Sequence, residues 1–184
     1  MRDLSLHLLD LAQNSIKAGA SLVTIRLTVD EKGFATFTLV DDGCGMDAEL
    51  LARVTSPFAT TRTTRKVGLG IPMMMENAQR AGGDLTISST VGVGTTLTAT
   101  FDTHNIDCLP LGDWAGTILS LILTNPDRPD FLFEGSSPKG EGSFDTREVR
   151  QVLAGVPLNE PAVVAWMRDA LNETINPIFG GVYQ

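Results

Sequence analysis

The sequence predicts an α+β fold in which helices pack on one face of a mostly antiparallel sheet. Two observations lead there. Residues 4–17 repeat apolar side chains at helical spacing, and four strand-like stretches, residues 22–29, 34–40, 84–90 and 95–101, come in two pairs joined by glycine-containing turns. Amphipathic helices and half-apolar strands need a common buried surface, and a two-layer sandwich supplies it.

Each element has its own warrant. On a helical wheel, Leu4, Leu8, Leu9, Leu11, Ala12 and Ile16 fall in one broad arc, while His7, Asp10, Asn14 and Lys17 cluster opposite, leaving one face for the core and one for chemistry. Ala18-Gly19-Ala20 ends that helix, since glycine takes the left-handed position past a helix terminus. Strict alternation then sets Val23, Ile25, Leu27 and Val29 on one side and Thr24, Arg26 and Thr28 on the other. The turn Asp30-Glu31-Lys32-Gly33 joins this strand to residues 34–40 as an antiparallel hairpin. Residues 47–54 suit a short helix. Residues 56–67, rich in Thr and Arg without apolar period, read as a lid. A helix over residues 71–80 opens at Pro72, whose missing N–H is harmless in a first turn, and stops at Ala81-Gly82-Gly83. Its Met73-Met74-Met75 run reads as core filler.

Past Phe101 the pattern changes. Residues 104–111 form an irregular connector, 112–123 a helix, 130–134 a strand and 135–142 a Gly/Ser/Pro loop, with Ser143-Phe144 beginning a returning strand. Asp145-Thr146-Arg147-Glu148 has the form of a capping box ahead of a helix to about residue 153, and Asn159-Glu160-Pro161 starts a last helix to about residue 175. The expected organisation is a main unit over residues 1–101, a connector over 102–111 and a small α/β appendage over 112–184.

Composition limits the function classes. With 42% apolar and 20% charged residues, the 184-residue chain belongs with soluble globular proteins, and nowhere do about 18 apolar residues run together. The expectation is a cytoplasmic protein with no membrane span. Two cysteines, Cys44 and Cys108, cannot form a disulfide framework or a four-ligand zinc site. Residues 1–101 carry nine basic and ten acidic side chains, whereas residues 102–184 carry five and twelve. That acidic segment repels nucleic acid backbone; its charge serves solubility or the docking of a basic protein partner.

Three glycine-containing stretches stand in order: Asp41-Asp42-Gly43-Cys44-Gly45-Met46, then Val67-Gly68-Leu69-Gly70-Ile71, then Gly92-Val93-Gly94-Thr95-Thr96. Glycine lets backbone N–H groups approach a ligand with no Cβ in the way, and Gly68 and Gly70 precede a helix whose free amides favour phosphate. Together with residues 9–20 and Ser56-Pro57-Phe58-Ala59-Thr60-Thr61, these motifs resemble the GHKL, or Bergerat-fold, ATPases, and most of all histidine kinase ATP-binding domains. The resemblance covers residues 4–101.

It implies a two-layer Bergerat sandwich, ATP and Mg²⁺ as cofactors, and a role for each matching residue. Asn14 would hold Mg²⁺ through its amide oxygen, a hard donor that adds no charge beside the phosphates. Asp41 would accept from the N6 amine of adenine and reject the O6 of guanine, with Gly43 and Gly45 letting the loop pass the base and Thr95 lying beside it. Lys17, Arg62, Arg65 and Lys66 would meet phosphate oxygens, as would the amides around Gly68, Leu69 and Gly70. Asp10 stands where some members carry a longer water-activating glutamate, so general base and spectator are both open. Only a few residues precede the first family helix, and His7 and His104 are the sole histidines, so an attached phosphoacceptor helix pair is not expected. The chemistry implied is slow hydrolysis, phosphotransfer to a separate partner, or nucleotide sensing alone.

Overall fold

A computed structural model describes residues 3–56 and 69–180. In chain order the elements are α1 (Leu4–Lys17), β1 (Leu22–Val29), β2 (Phe34–Asp41), α2 (Ala48–Val54), α3 (Gly70–Arg80), β3 (Leu85–Thr90), β4 (Gly94–Asp102), α4 (Trp114–Thr124), β5 (Asp130–Ser137), β6 (Gly140–Asp145), α5 (Thr146–Leu153) and α6 (Pro161–Phe179). The predicted lid falls on residues outside those described, apart from Ser56.

The six strands form one sheet in the order β3-β4-β2-β1-β5-β6. All neighbours are antiparallel except β1 and β5, which run parallel with Val23 opposite Phe131 and Ile25 opposite Phe133. Alternation decides which face is covered. Val23, Ile25 and Leu27 of β1, Ala35 and Phe37 of β2, and Ala99 and Phe101 of β4 are all buried, and the register sets them side by side. The intervening positions carry hydroxyls and charge, including Thr28, Thr36, Thr38, Thr98 and the Arg26–Glu134 ion pair. Helices α1, α3, α4 and α6 meet the apolar face or one another, and Trp114 of α4 sits 5.7 Å from the Phe37 ring. Burying each such aromatic contributes about 1.5–3 kcal/mol, so this layer is the main source of stability.

The C-terminal segment joins the same sheet and the same apolar cluster through Phe131, Phe133, Ile118, Met167 and Leu171. Here the structure corrects one element. Residues 135–142, expected as a loop, are mostly strand, and only Pro138 and Lys139 turn. The glycines are there for close packing: a Cβ on Gly135 would lie 2.9 Å from Phe179, and one on Gly142 2.9 Å from Thr174. Glycine at these paired positions lets α6 rest on β5 and β6.

Helix α6 also runs further than expected, to Phe179, with Pro177 inside it. Ile178 and Phe179 are buried, Ser137 Oγ donates to the Ile178 carbonyl, and Lys139 Nζ donates to that of Gly180. These contacts satisfy carbonyls that the helix end leaves free. The expected capping box at α5 closes differently. Asp145 accepts from the Arg147 N–H, and Arg147 rather than Glu148 completes the pair with its guanidinium, which holds the Asp145 carboxyl below its ordinary value.

Candidate nucleotide site

The C-terminal half of α1, the end of β2 with the loop after it, helix α2, the start of α3, and strands β3 and β4 meet at one end of the sheet. They enclose a cavity of about 280 Å³. Its polar lining includes Asn14, Ser15, Lys17, Asp41 and Thr95, and its apolar lining includes Leu11, Leu39, Met46, Ile71, Ile87 and Leu97. The structure therefore brings five predicted residues, Asn14, Lys17, Asp41, Gly45 and Thr95, to one space.

Asp41 is the last residue of β2, in register with Thr95 of β4 and Val23 of β1. It continues the inward row of Phe37 and Leu39, so strand alternation sets a carboxylate at the end of an apolar line. Two donors aim it: Ser15 Oγ gives a hydrogen bond to Oδ2 at 2.6 Å, and the Gly43 N–H gives one to Oδ1 at 3.0 Å. A carboxylate has about four lone-pair sites, so acceptor capacity is left for a ligand amine. Asp42 faces the other way. Its Oδ1 accepts from Ser21 N–H at 2.6 Å and Leu22 N–H at 3.0 Å, and the Leu22 bond leads the causes that hold its carboxyl below the ordinary value.

The loop after Asp41 is stitched to its neighbours. Cys44 N–H donates to the Ala18 carbonyl, and the Cys44 carbonyl accepts from Gly92 N–H. The structure gives these two glycines a reason of its own. A Cβ on Gly43 would lie 2.7 Å from Ala18 Cβ, and one on Gly45, whose φ is +68°, would lie 2.1 Å from the Thr90 carbonyl oxygen. It is the protein's own chain that leaves no room for side chains there. Gly45 lines the cavity and Gly43 does not.

Thr95 and Ser89 share a hydroxyl bond of 2.8 Å, and Ser89 Oγ also accepts from Met46 N–H. Sequence reasoning missed both Ser89 and Ser15. Ser15 had a readable signal, because it sits within the apolar arc of α1, where a buried hydroxyl needs a partner. Ser89 had none, since its partners depend on strand register.

Asp10 is exposed and lies off the cavity wall, flanking Gly70, where a Cβ would lie 3.2 Å from its own. At the start of α3, Leu69 is 56% exposed and makes no side-chain cap, so no side chain of that cap residue competes for the first-turn amides. Ile71 brings that terminus onto the cavity wall. Arg62, Arg65, Lys66 and Gly68 lie outside the described residues. His7 also departs from the chemical face of α1: it is fully buried and meets Asn77 of α3 at 2.9 Å, and burial pushes its pKa down.

Among the described residues no group of three or more His, Cys, Asp or Glu side chains is placed to hold a metal. The Asn14 amide oxygen beside the cavity fits a cation that takes most of its ligands from substrate phosphates and water. Among the described residues no helix is long and apolar enough to cross a membrane.

Comparison with known proteins agrees with this geometry. The family model described as histidine kinase-, DNA gyrase B-, and HSP90-like ATPase matches residues 2–105. A Shewanella frigidimarina (strain NCIMB 400) protein provisionally named as a sensor protein is 34% identical over 98 residues, covering 51% of this chain and 15% of that protein. The sensor kinase CckA of Brucella abortus (strain 2308) is 36% identical over 67 residues, covering 36% of this chain and 7% of the kinase. The chain thus spans a small part of the length of both relatives. Among solved structures, the N-terminal domain of a DNA repair protein superposes with a TM-score of 0.52 at 15% identity, covering 79% of this chain and 52% of that one, a likeness of fold alone.

Proposed function

The chain belongs to the histidine kinase-, DNA gyrase B-, and HSP90-like ATPase family, and from that premise we propose that it is a Mg-dependent ATP-binding protein of histidine kinase-like type. In this reading it hydrolyses ATP slowly or passes the γ-phosphate to a separate protein partner, in the cytoplasm and in a regulatory setting. The acidic C-terminal segment docks that partner, whose matching surface is basic. The observation that carries the reading is Asp41, aimed by Ser15 and Gly43 into a cavity that Asn14 also lines.

Each side chain then has a task. Asp41 accepts from the adenine N6 amine, and the Leu39, Ile87 and Leu97 wall excludes water from the base. Thr95, held by Ser89, supplies a hydroxyl beside it. Asn14 presents its amide oxygen to Mg²⁺ and Lys17 its ammonium to phosphate. The α3 amides near Leu69 and Gly70 face the same anion, with Gly68, Arg62 and Lys66 as further phosphate contacts. The bound cation supplies charge neutralisation at the phosphates.

The fate of the γ-phosphate turns on Asp10. Its exposed place off the cavity wall favours a second reading, a nucleotide sensor without turnover that changes partner binding when ATP is bound. Incubation with Mg²⁺ and γ-labelled ATP, with and without cell extract, separates the two. Released phosphate or a labelled protein supports the enzyme. Tight ATP binding with neither product supports the sensor, and no ATP binding overturns both.

A further inference from the structure

The segment beyond the family match reaches back to the nucleotide site. From the stretch ahead of β5, Arg128 Nε donates to the Ala20 carbonyl at 3.2 Å, and Nη2 donates to the Gly19 carbonyl at 3.2 Å and to Ser21 Oγ at 2.6 Å. Asp130 N–H adds a bond to the Ser21 carbonyl at 2.9 Å. The α1–β1 turn, residues 18–21, is thus gripped from the C-terminal side.

The same turn supports the cavity. Ala18 accepts from Cys44 N–H at 2.9 Å and packs against Gly43, while Asp42 takes the Ser21 and Leu22 N–H groups. Lys17, Ala18, Asp41 and Cys44 all line the cavity. One turn therefore touches Arg128 on one side and the Asp41–Cys44 loop on the other.

We propose that Arg128 is a positioning residue for nucleotide binding, through which the C-terminal segment sets the affinity of the pocket. A guanidinium spreads its donors in a rigid plane, so it holds two carbonyls and a hydroxyl in one relative geometry, which a flexible ammonium does less well. Without it those carbonyls turn to water, and the turn loses the reference that places Ala18 under the loop. Lys17 and Asp41 then drift together. Coupling is reciprocal: nucleotide in the pocket favours the docked Arg128, and a protein bound to the C-terminal segment changes ATP affinity by the factor with which ATP changes its own.

The proposal rests on the nucleotide reading, and its test separates the two. Affinity of the full chain for a fluorescent ATP analogue with Mg²⁺ is compared for the wild type, Arg128→Ala, Arg128→Lys and Val149→Ala. Arg128→Ala is expected to weaken binding about tenfold, within the usual range of coupling, and Arg128→Lys to restore part of the loss. Val149→Ala, at a buried position of α5, is expected to lower stability and leave affinity unchanged. Amide exchange at Cys44 should speed up in Arg128→Ala and slow again with nucleotide.

Wild-type binding with unchanged affinity in Arg128→Ala overturns the inference, as does an equal loss in Val149→Ala. Absence of binding in the wild type overturns the nucleotide reading itself. Should Arg128→Ala fail to fold by circular dichroism, Ser21→Ala and Arg128→Lys decide the matter, and unchanged affinity in both overturns the inference.

Discussion

Asp41 is oriented by two donors, so asparagine at this position turns its NH₂ toward one of them. The Ser15 hydroxyl can rotate to accept from that NH₂ whereas the Gly43 N–H cannot, so the amide oxygen is committed to Gly43 and the acceptor capacity left for a ligand amine falls. We expect Asp41→Asn to cost about 2 kcal/mol, or roughly 30-fold, in ATP affinity by calorimetry; binding within twofold of wild type would remove Asp41 from the adenine contact. Ser15→Ala keeps the carboxylate but loses one aiming bond, and about 1 kcal/mol, or fivefold, is expected in the same measurement. At His7 the effect is on stability. Burial lowers its folded-state pKa below the unfolded value of 6.5, so the unfolded chain binds the extra proton as pH falls through that value. Stability is fully present above about pH 6.5 and is lost below it. Urea unfolding should show that loss in the wild type and not in His7→Gln. The depressed carboxyls of Asp42 and Asp145 act in a lower window, losing their contribution as pH drops below about 3.8, so the two effects are separable. Asp41 itself was legible as the end of a strand before a glycine loop. The bonds that aim it were not, because Ser15 is 26 positions away and Gly43 donates through its backbone.

At the scale of elements, local pattern was a good guide where one face of an element meets water and the other the core. Strand β1 and helices α1 and α3 begin and end within a residue of their sequence reading, since alternation, a terminal glycine and an early proline each have a local cause. The reading failed at residues 135–142, where glycine answers to a helix arriving from elsewhere. Gly135→Val should therefore act like an overpacked core. Its Cβ alone would lie 2.9 Å from Phe179, and a cost of about 2 kcal/mol, or a fall in Tm of roughly 6 °C by calorimetry, is expected. A valine variant as stable as the wild type would show that α6 does not depend on close approach. Gly43 and Gly45 make the same point in the nucleotide loop. They were legible as glycines that mattered, and the structure adds that the protein's own chain, at Ala18 and Thr90, forbids a side chain there.

For the molecule as a whole, the parallel pairing of β1 with β5 joins the family region to the C-terminal segment in one sheet. Shared hydrogen bonds and a shared apolar layer predict a single unfolding transition in calorimetry, and saturating ATP with Mg²⁺ should raise it as one unit, by about 2.7 kcal/mol at a hundred times Kd. Two transitions, only one of them moved by ATP, would mean that the C-terminal segment folds on its own. The sequence by itself determined the fold class, the order of the first elements and several of the residues that line the cavity, because periodicity, turn chemistry and motif order are local properties that a linear reading retains. Only the tertiary structure decided that Ser15 and Ser89 orient Asp41 and Thr95, that Asp10 stands off the cavity wall, that His7 is buried, and that Arg128 grips the turn beneath the pocket. Those facts depend on strand register and helix docking, which bring together residues separated by up to about a hundred positions, and no local pattern encodes such a meeting.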